Sequence, residues 1–274
     1  LAYPIDGAVF KFDDVAYGRS LGATEHHFRN AMAYKFYDET YPTVLKDIEW
    51  TMGRTGVLTP IAVFEPIDID GSTVSRASLH NVDIMGQTLH GCGWVGQKVE
   101  VYKANMIIPQ VLRSITKGNN VVILDKCPTC GGDTKVFKEN ESEILYCMNE
   151  SCPAKLINQL AHYASRDAMN IDGLSSKRIE FLVEQGWVNC IADLYDLDSY
   201  RIKWSNMKGW TTKSIDKLLN AIETSKKTTP ERFIYALGIP KIGRSQAKEL
   251  VKEFKTWDAF IDACEKKYNF ARLD

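Results

Sequence analysis

The sequence has no long hydrophobic run and no excess of charge of either sign. None of its apolar stretches reaches the roughly 20 residues that a transmembrane helix requires, which excludes an ordinary membrane span. The 34 Lys and Arg residues nearly balance 35 Asp and Glu, and a net charge of -1 excludes a uniformly basic coat for nucleic acid. Because 274 residues with 45% hydrophobic content can form two or more cores, we expect a soluble multi-domain protein.

Charge is nevertheless distributed unevenly along the chain. Residues 154–274 contain 20 Lys and Arg against 16 Asp and Glu, whereas residues 1–153 contain 14 against 19. A local excess of basic side chains attracts phosphate even when the whole chain is neutral. The difference is a mild indication that phosphate contacts concentrate in the second half.

Cysteine is sparse, but four of the seven residues form one cluster. Two cysteines separated by two residues are followed by a turn-rich insert and two more separated by four, a spacing typical of a closed tetrahedral zinc site. The alternative, a pair of disulfides, requires an oxidising compartment, and no apolar signal segment opens the sequence, so we expect a cytoplasmic protein. We interpret the isolated Cys92, Cys190 and Cys264 as ordinary small apolar residues. The predicted ligands of a structural zinc ion are Cys127, Cys130, Cys147 and Cys152.

The residue pattern differs on the two sides of this cluster. Before residue 127, short stretches such as "IAVFEPIDI", "STVSRASL", "KVEVYKA" and "NVVILD" are rich in β-branched and aromatic residues, which predicts strands of a small β-barrel. After residue 153, stretches such as "PAKLINQLAHYASR" and "KSIDKLLNAIETSKK" place apolar residues three and four apart, which predicts amphipathic helices. The cluster therefore separates an all-β part from an all-α part.

The helical part contains an internal repeat. Gly173, Gly209 and Gly243 each precede an apolar helix, at spacings of 36 and 34 residues, in a pattern typical of helix-hairpin-helix units. Such turns offer backbone N–H groups to a phosphate without reading base sequence, so three copies favour DNA binding over glycines that merely serve tight turns. We expect hydroxyl side chains to cap the second helices or to contact phosphate, and basic side chains to contact phosphate unless they are simply solvated. The hydroxyl residues are Ser175, Thr211 and Ser245, and the basic residues are Lys177, Lys213 and either Arg244 or Lys248.

Two lysines near the amino end share an unusual setting. In "IDGAVFKF" and "RNAMAYKF", alternation places Lys11 and Lys35 on strand faces that otherwise carry mostly small residues. The free space and the two cations suit a phosphate-bearing ligand. The alternative is that each lysine points to solvent from an edge strand.

These two stretches resemble the fourth and fifth signature motifs of the covalent nucleotidyltransferases, in the form carried by bacterial NAD-dependent DNA ligases. "GRTGVLTPIAVFEP", "TVSRASLHN" and "KANMIIPQV" resemble strands of the oligonucleotide-binding (OB) barrel of the same ligases. The cysteine cluster and the helical repeats follow in that family's order. The resemblance implies four domains. Residues 1–38 would be the carboxyl-terminal end of an adenylation (nucleotidyltransferase, α+β) domain, and residues 39–124 an OB-fold. Residues 125–155 would be a zinc-binding module, and residues 156–274 an all-α helix-hairpin-helix domain.

The resemblance also implies an activity and its residues. In this family a lysine takes the adenylyl group from NAD, passes it to a 5′-phosphate at a nick, and a 3′-hydroxyl then displaces AMP. Lys11 and Lys35 are implied to contact the adenylate phosphate, Asp6 to act near the reacting phosphate and its magnesium, and Arg29 to belong to the same pocket. Nicked double-stranded DNA is the implied partner, and we expect a monomer.

Further DNA contacts are implied in the barrel. Arg54 and Thr55 match residues that grip DNA near the nick. Lys103 stands where many relatives have an arginine, and it keeps the charge but loses the bidentate fork. We assign no role to His80 and His90, since a lone histidine is more often structural or solvated.

One family motif is missing from the sequence. Lys-x-Asp-Gly, which supplies the nucleophile, does not occur in these 274 residues. We therefore expect a fragment that does not adenylate itself. The alternatives are a non-enzymatic DNA-binding repair scaffold, which has no use for the two lysine strands, and an ATP-using ligase, against which the zinc module and the helical repeats stand.

Overall fold

The computed structural model describes residues 7–24, 27–35, 39–91, 95–105, 107–116 and 123–266, apart from the side chain of residue 35. The chain divides into two compact units. The first unit comprises 1–51, 59–123 and 138–144, and the second comprises 52–58, 124–137 and 145–274.

The first unit begins with a two-stranded antiparallel sheet of β1 (Gly7–Lys11) and β2 (Ala31–Lys35). The helix α1 (Val15–Ser20) lies between the two strands in sequence. Its start is fixed by Asp14, whose carboxylate accepts hydrogen bonds from the N–H groups of Ala16 and Tyr17 at 2.8 and 3.0 Å.

Five further strands of this unit form a closed barrel. Their order is β3-β6-β7-β5-β4, and an additional β3–β4 pairing closes the ring. β5 and β7 pair in parallel, through Ser78 and Gln110. The predicted OB-fold is thereby confirmed. The bounds are β3 (Tyr41–Met52), β4 (Val57–Ile69), β5 (Ser72–Ser78), β6 (Lys98–Ala104) and β7 (Ile108–Ser114), with α2 (Val82–Thr88) between β5 and β6.

The barrel core follows from strand alternation. Along β4, Leu58, Ala62 and Phe64 are buried while their neighbours are more exposed, as period-two strands require. Burying each large apolar side chain contributes about 1.5–3 kcal/mol before entropy is subtracted. Of the predicted strand 120–125, residues 120–122 lie outside the described residues and residues 123–125 are in no strand.

Two neighbouring strands follow in sequence, β8 (Thr134–Glu139) and β9 (Ser142–Cys147), and their residues 134–137 and 145–147 belong to the second unit. β9 also pairs antiparallel with the first two residues of β4, Val57 with Tyr146 and Leu58 with Leu145. Residues 52–58 thus belong to this unit although the strands that flank them in sequence form the barrel.

The rest of the second unit is helical. Its main core surrounds Trp204, which is fully buried, and a smaller cluster contains Ile234, Ala247, Leu250 and Phe260. Within the described part of the chain, no helix combines the length and apolarity that crossing a membrane requires. The helices are α3 (Pro153–Ala164), α4 (Ser176–Glu184), a 3-10 helix (Ala192–Tyr200), α5 (Arg201–Ser205), α6 (Thr212–Ser225), α7 (Pro230–Ala236), α8 (Arg244–Phe254) and α9 (Trp257–Glu265).

Candidate metal centre and nucleic-acid interface

The two predicted lysine positions lie on one small sheet. The register places Lys11 opposite Ala31 and position 35 opposite Gly7, at the two ends of the paired segment. This four-residue offset separates the two Cα atoms by roughly 14 Å at the usual rise along a strand. Lys11 is exposed. A ligand between the two positions would therefore lie along the sheet and not at its edge.

Of the two other residues predicted for this pocket, Arg29 and Asp6, only Arg29 lies within the described residues. Arg29 is exposed in the turn before β2, and its backbone N–H donates to the Gly22 carbonyl at 3.0 Å. Asp6 lies outside the described residues. The sheet exposes large apolar side chains, with Phe10 65% and Met32 75% accessible, a surface of the kind that protein contacts cover.

The four clustered cysteines converge on a single point. Their sulfur atoms all lie within 4.8 Å of one another, and the Sγ atoms of Cys130 and Cys147 are 3.6 Å apart. Four sulfurs at 2.3 Å from a central zinc ion would be separated by about 3.8 Å. All four residues are free thiols, and three of them are buried. The arrangement fits a tetrahedral zinc site and does not contain the alternative pair of disulfides.

The electrostatics of this cluster also favour a cation. The backbone N–H of Gly132, 3.4 Å from its sulfur, lowers the pKa of Cys130 to about 6. Burial raises the pKa of Cys147 to about 12 and raises that of Cys152. Four thiolates this close repel one another, so full ionisation requires a bound cation. Cys127, Cys130, Cys147 and Cys152 would hold zinc as a structural ion, since four protein ligands leave no open position.

The cysteine cluster is joined directly to helix α3. Cys152 is the N-cap residue of α3, with Pro153 at the first helical position. On the other side, the N–H of Cys147 donates to the Gly56 carbonyl at 2.9 Å. The cysteine cluster therefore contacts both α3 and the segment 52–58.

Segment 52–58 is held by side chains of α3. Asn158 Nδ2 donates to the Met52 carbonyl at 3.0 Å, and Gln159 Nε2 lies 3.5 Å from the Arg54 carbonyl. The Arg54 guanidinium donates through Nη1 to His162 Nδ1 at 2.8 Å. In an OB-fold this segment is the loop between the first two strands, one of the loops that bind oligonucleotides. The predicted DNA residues Arg54 and Thr55 occupy it.

The predicted hairpins are present, but their alignment differs from the predicted one at the third copy. Gly173 and Gly209 have φ of +83° and +90°, two residues before the N-caps of α4 and α6. In the third copy the corresponding residue is Lys241, with φ +67°, and Gly243 is itself the N-cap of α8. Gly243 has extended φ and ψ, so the prediction that it matches Gly173 and Gly209 was wrong by two residues.

The two-residue shift of the third copy also changes the place of its hydroxyl residue relative to the helix. Ser175 and Thr211 are the N-caps of α4 and α6, as predicted, and Thr211 Oγ1 accepts from the Ser214 N–H at 3.2 Å. Ser245 lies inside α8 and does not cap it, so of its two predicted roles only the phosphate contact remains a prediction. At Gly243, the Gln246 side chain instead accepts from the backbone N–H at 3.1 Å.

The predicted basic residues of the hairpins lie on the surface. Lys177, Lys213 and Lys248 are exposed, and Arg244 is exposed with a guanidinium nitrogen 3.4 Å from an Asp167 oxygen. Surface ion pairs of this kind contribute little and are readily exchanged. All four side chains are therefore available for the predicted phosphate contacts.

Two basic residues that the sequence reasoning missed line the first two hairpins. Arg178 donates to the Gly173 carbonyl at 2.7 Å and lies 4.7 Å from the centre of the Trp210 ring. Lys217 pairs with Asp172 at 2.9 Å. Both line a cavity of about 440 Å³ that also contains Gly173. The signal available in the sequence was that Arg178 follows Gly173 by five residues, within reach of its turn.

The predicted DNA contact of Lys103 does not agree with its position. Lys103 is 8% exposed, and its Nζ donates to the Ile69 carbonyl at 2.5 Å and to Ser72 Oγ at 2.6 Å. The ammonium therefore ties β6 to the turn between β4 and β5 and is not presented to solvent. Alternation was the missed signal, because Lys103 continues the buried series of Val99 and Val101.

The sequence matches two protein-family models and is similar to curated DNA ligases. Residues 42–121 match the family model for the NAD-dependent DNA ligase OB-fold domain, and residues 232–268 match the helix-hairpin-helix motif. A DNA ligase of Lachnoclostridium phytofermentans is 44% identical over 252 residues, which cover 92% of this chain and 38% of the relative. A DNA ligase of Ruminiclostridium cellulolyticum is 43% identical over 262 residues, which cover 95% and 39%. The chain spans about two fifths of the length of these curated relatives.

Proposed function

We propose, on the premise that this chain is homologous to the NAD-dependent DNA ligases, that it forms part of an enzyme that seals nicks in duplex DNA with NAD as the adenylyl donor. The observation that carries the proposal is an identity above 40% to DNA ligases over more than nine tenths of the chain. The similarity therefore extends over both units of the chain.

The reaction consists of three phosphoryl transfers. A lysine amine attacks the adenylyl phosphorus of NAD, and the bond to nicotinamide mononucleotide breaks. The 5′-phosphate at the nick then displaces the lysine from AMP, and the 3′-hydroxyl finally displaces AMP, which leaves a phosphodiester. Such steps depend on positioning and on neutralisation of the phosphate charge.

We assign the residues of the β1–β2 sheet to charge neutralisation. Lys11 and Lys35 would contact the adenylyl phosphate from the two ends of the sheet, and Arg29 would complete the pocket. Asp6 would act beside a magnesium ion. Because the Lys-x-Asp-Gly motif does not occur in the 274 residues, none of these is assigned as the nucleophile.

We assign binding of the DNA backbone to the second unit. The loop residues Arg54 and Thr55 and the hairpin turns at Gly173, Gly209 and Lys241 would contact the sugar-phosphate backbone. Such contacts carry no sequence information, as suits an enzyme that seals any nick. Zinc on the four cysteines would support this unit by fixing the start of α3.

The test is transfer of label from the cofactor to the protein. The reading frame that encodes residues 1–274, together with its flanking coding sequence, would be expressed and incubated with NAD or with ATP labelled at the adenylyl phosphate. We expect label from NAD alone that stays on the denatured protein, and we expect sealing of nicked duplex DNA. Label from ATP alone would contradict NAD dependence.

The non-enzymatic scaffold predicts a different result. A protein that only recruits other factors would bind nicked DNA but take label from neither cofactor. The relatives do not favour this alternative, since the similar proteins described above are named as ligases. A variant with Lys11→Ala separates the two functions, because a ligase would lose sealing while a scaffold would keep its DNA affinity.

A further inference from the structure

His162 makes two hydrogen bonds in opposite directions. Its Nδ1 lies 2.8 Å from Arg54 Nη1, in the loop between β3 and β4. Its Nε2 lies 2.9 Å from the carbonyl oxygen of Tyr235, in the last turn of α7. The imidazole therefore stands between the predicted DNA-binding loop and the turn of the third hairpin.

These partners define the protonation state of the ring. A guanidinium can only donate, so Nδ1 must be the acceptor and carry no proton. A carbonyl can only accept, so Nε2 must carry the proton. Both contacts are satisfied together only by the neutral imidazole protonated at Nε2. The orientation is further fixed by the Tyr235 ring, which meets the His162 ring edge-on at 4.8 Å.

The surroundings leave the guanidinium accessible but restrained. Arg54, Thr55, Gln159 and His162 line a cavity of about 410 Å³ together with residues 237–240 of the hairpin turn. Gly238 permits this approach, because a Cβ there would lie 3.3 Å from His162 Cδ2 and 3.5 Å from Arg54 Nε. A guanidinium has five N–H donors, so the bond to His162 leaves others for a ligand.

We propose that His162 is a positioning residue for DNA binding, which holds the Arg54 guanidinium against the turn of the third hairpin so that one backbone phosphate meets both. This inference rests on the proposed function, because it takes the ligand to be DNA. His162 itself touches Arg54 and Tyr235 and acts on the phosphate through Arg54. Pre-orienting a flexible arginine lowers the entropy lost on binding.

The two hydrogen bonds can be removed one at a time. In His162→Asn the side-chain oxygen occupies the position of Nδ1 and can still accept from Arg54, but the link to Tyr235 is lost. In His162→Gln the amide nitrogen occupies the position of Nε2 and can still donate to Tyr235, but the acceptor for Arg54 is lost. His90→Gln, at an exposed position of the barrel unit, is the matched control.

The experiment measures affinity for a fluorescent nicked duplex by anisotropy over a range of salt concentrations. We expect His162→Gln to weaken binding about three- to tenfold, the usual net effect of losing one hydrogen bond. His162→Asn should weaken binding less. Arg54→Gln should weaken binding and reduce the slope of log affinity against log salt by about 0.9, as loss of one phosphate contact predicts.

The decisive comparison uses the double variant. If His162 acts through Arg54, His162→Gln should cost nothing further when Arg54→Gln is already present. Equal losses in both backgrounds, or a larger loss from His162→Asn than from His162→Gln, would overturn the proposal. If the unsubstituted protein and the control bind no DNA, the proposed function fails together with the inference.

A second measurement does not depend on the variants folding. The ¹⁵N chemical shifts of the His162 ring in the unsubstituted protein identify its tautomer. A neutral ring protonated at Nε2 at pH 7.5 is expected. A ring protonated at Nδ1 would overturn the proposal, because it could not accept from Arg54.

Discussion

The first two hairpins and the third make the same turn with different residues. In each, a residue of positive φ stands two positions before the N-cap of the following helix, and the φ values are +83°, +90° and +67°. The residue is glycine in the first two hairpins and Lys241 in the third. The first two hairpins pack into the large core around Trp204, whereas α7 to α9 contribute most of the smaller cluster.

The property that the three turns share is therefore the positive backbone φ, and not the presence of glycine. A left-handed conformation costs an ordinary L-residue roughly 1–2 kcal/mol, so Lys241 retains strain that Gly173 and Gly209 do not have. In return, the third turn carries a cation within the turn itself. The residue before the positive-φ position is Asp172 in the first hairpin, where it is paired with Lys217.

The largest expected effect separates the hairpins by their dependence on metal. Removing zinc with a chelator, or substituting Cys147→Ser, should unfold the cysteine module and loosen α3 and segment 52–58, because structural zinc contributes on the order of 10 kcal/mol of folding free energy. Hydrogen exchange should then rise in α3 and the first hairpin and rise much less in α8 and α9.

The matched control for this prediction is Cys190→Ser, which changes an exposed cysteine outside the cluster. This variant should keep the wild-type exchange pattern and bind the same amount of zinc. Uniform loss of protection across all three hairpins would show that the third depends on the metal as much as the first.

The next effect tests the turn residues directly. Gly209→Lys should destabilise the protein by about 1–2 kcal/mol, because it places a side chain at φ +90°. Lys241→Gly should change the free energy of unfolding by less, and should either stabilise the protein slightly or leave its stability unchanged. Relief of backbone strain is offset by the greater entropy of glycine in the unfolded chain. Urea unfolding monitored by tryptophan fluorescence measures both. An equal destabilisation by the two substitutions would remove the distinction between the turns.

A smaller effect distinguishes the caps of the first two hairpins. Thr211→Ala removes the bond from the Ser214 N–H and should cost about 1 kcal/mol. Ser175 caps α4 by position but makes no side-chain capping bond, so Ser175→Ala should cost only a few tenths of that value. Thermal unfolding of the two alanine variants gives the comparison. A greater loss from Ser175→Ala would contradict it.

The smallest effect is the pH dependence of stability that arises from His162, whose ring joins α3 to the third hairpin. Burial and, to a lesser extent, the positive charge of Arg54 lower the pKa of His162, against a raising effect of the Tyr235 carbonyl. The folded protein then binds fewer protons than the unfolded chain just below pH 6.5. The stability from this group is complete above that pH and is lost as pH falls through the folded pKa.

The contribution of His162 to the pH dependence of stability can be separated from that of the carboxyl groups. The carboxyl groups of Asp133, Asp172 and Asp193 also have lowered pKa values, but their protonation affects stability only below their ordinary value of 3.8. Unfolding free energies measured between pH 7.5 and 5.5 should therefore fall less in His162→Gln than in the unsubstituted protein. An unchanged slope would contradict the assignment, as would an NMR titration of His162 above 6.5.

Much of the fold follows from residue pattern alone. The barrel strands β3 to β6 and the helices α3, α4, α6 and α8 were predicted because their periodicity is strong, whereas the barrel strand β7 was not predicted. The short helices α1, α2, α5 and α7 were missed, since fewer than eight residues hold too few turns for a period to appear, and the nine-residue α9 was missed as well. The convergence of the four cysteines followed from their spacing.

The remaining site features depend on information that the sequence does not display. Glycine is the usual mark of positive φ, so Lys241 gave no sign and Gly243 took its place in the alignment. The contact of Arg54 with His162 joins residues 108 apart. Lys103 is the opposite case, because strand alternation already predicted its inward position and the resemblance to a surface arginine outweighed it.

Segment 52–58 limits how this protein could be rearranged by recombination. It supplies the Met52 and Gly56 carbonyls and the Arg54 side chain to the helical unit, from the middle of the barrel sequence. A genetic exchange that transferred residues 124–266 as one continuous block would leave α3 and the cysteine module without these partners. The first hairpin, which begins with α3, and the turn of the third, which Arg54 approaches at Gly238, both depend on a heptapeptide encoded about 100 residues upstream.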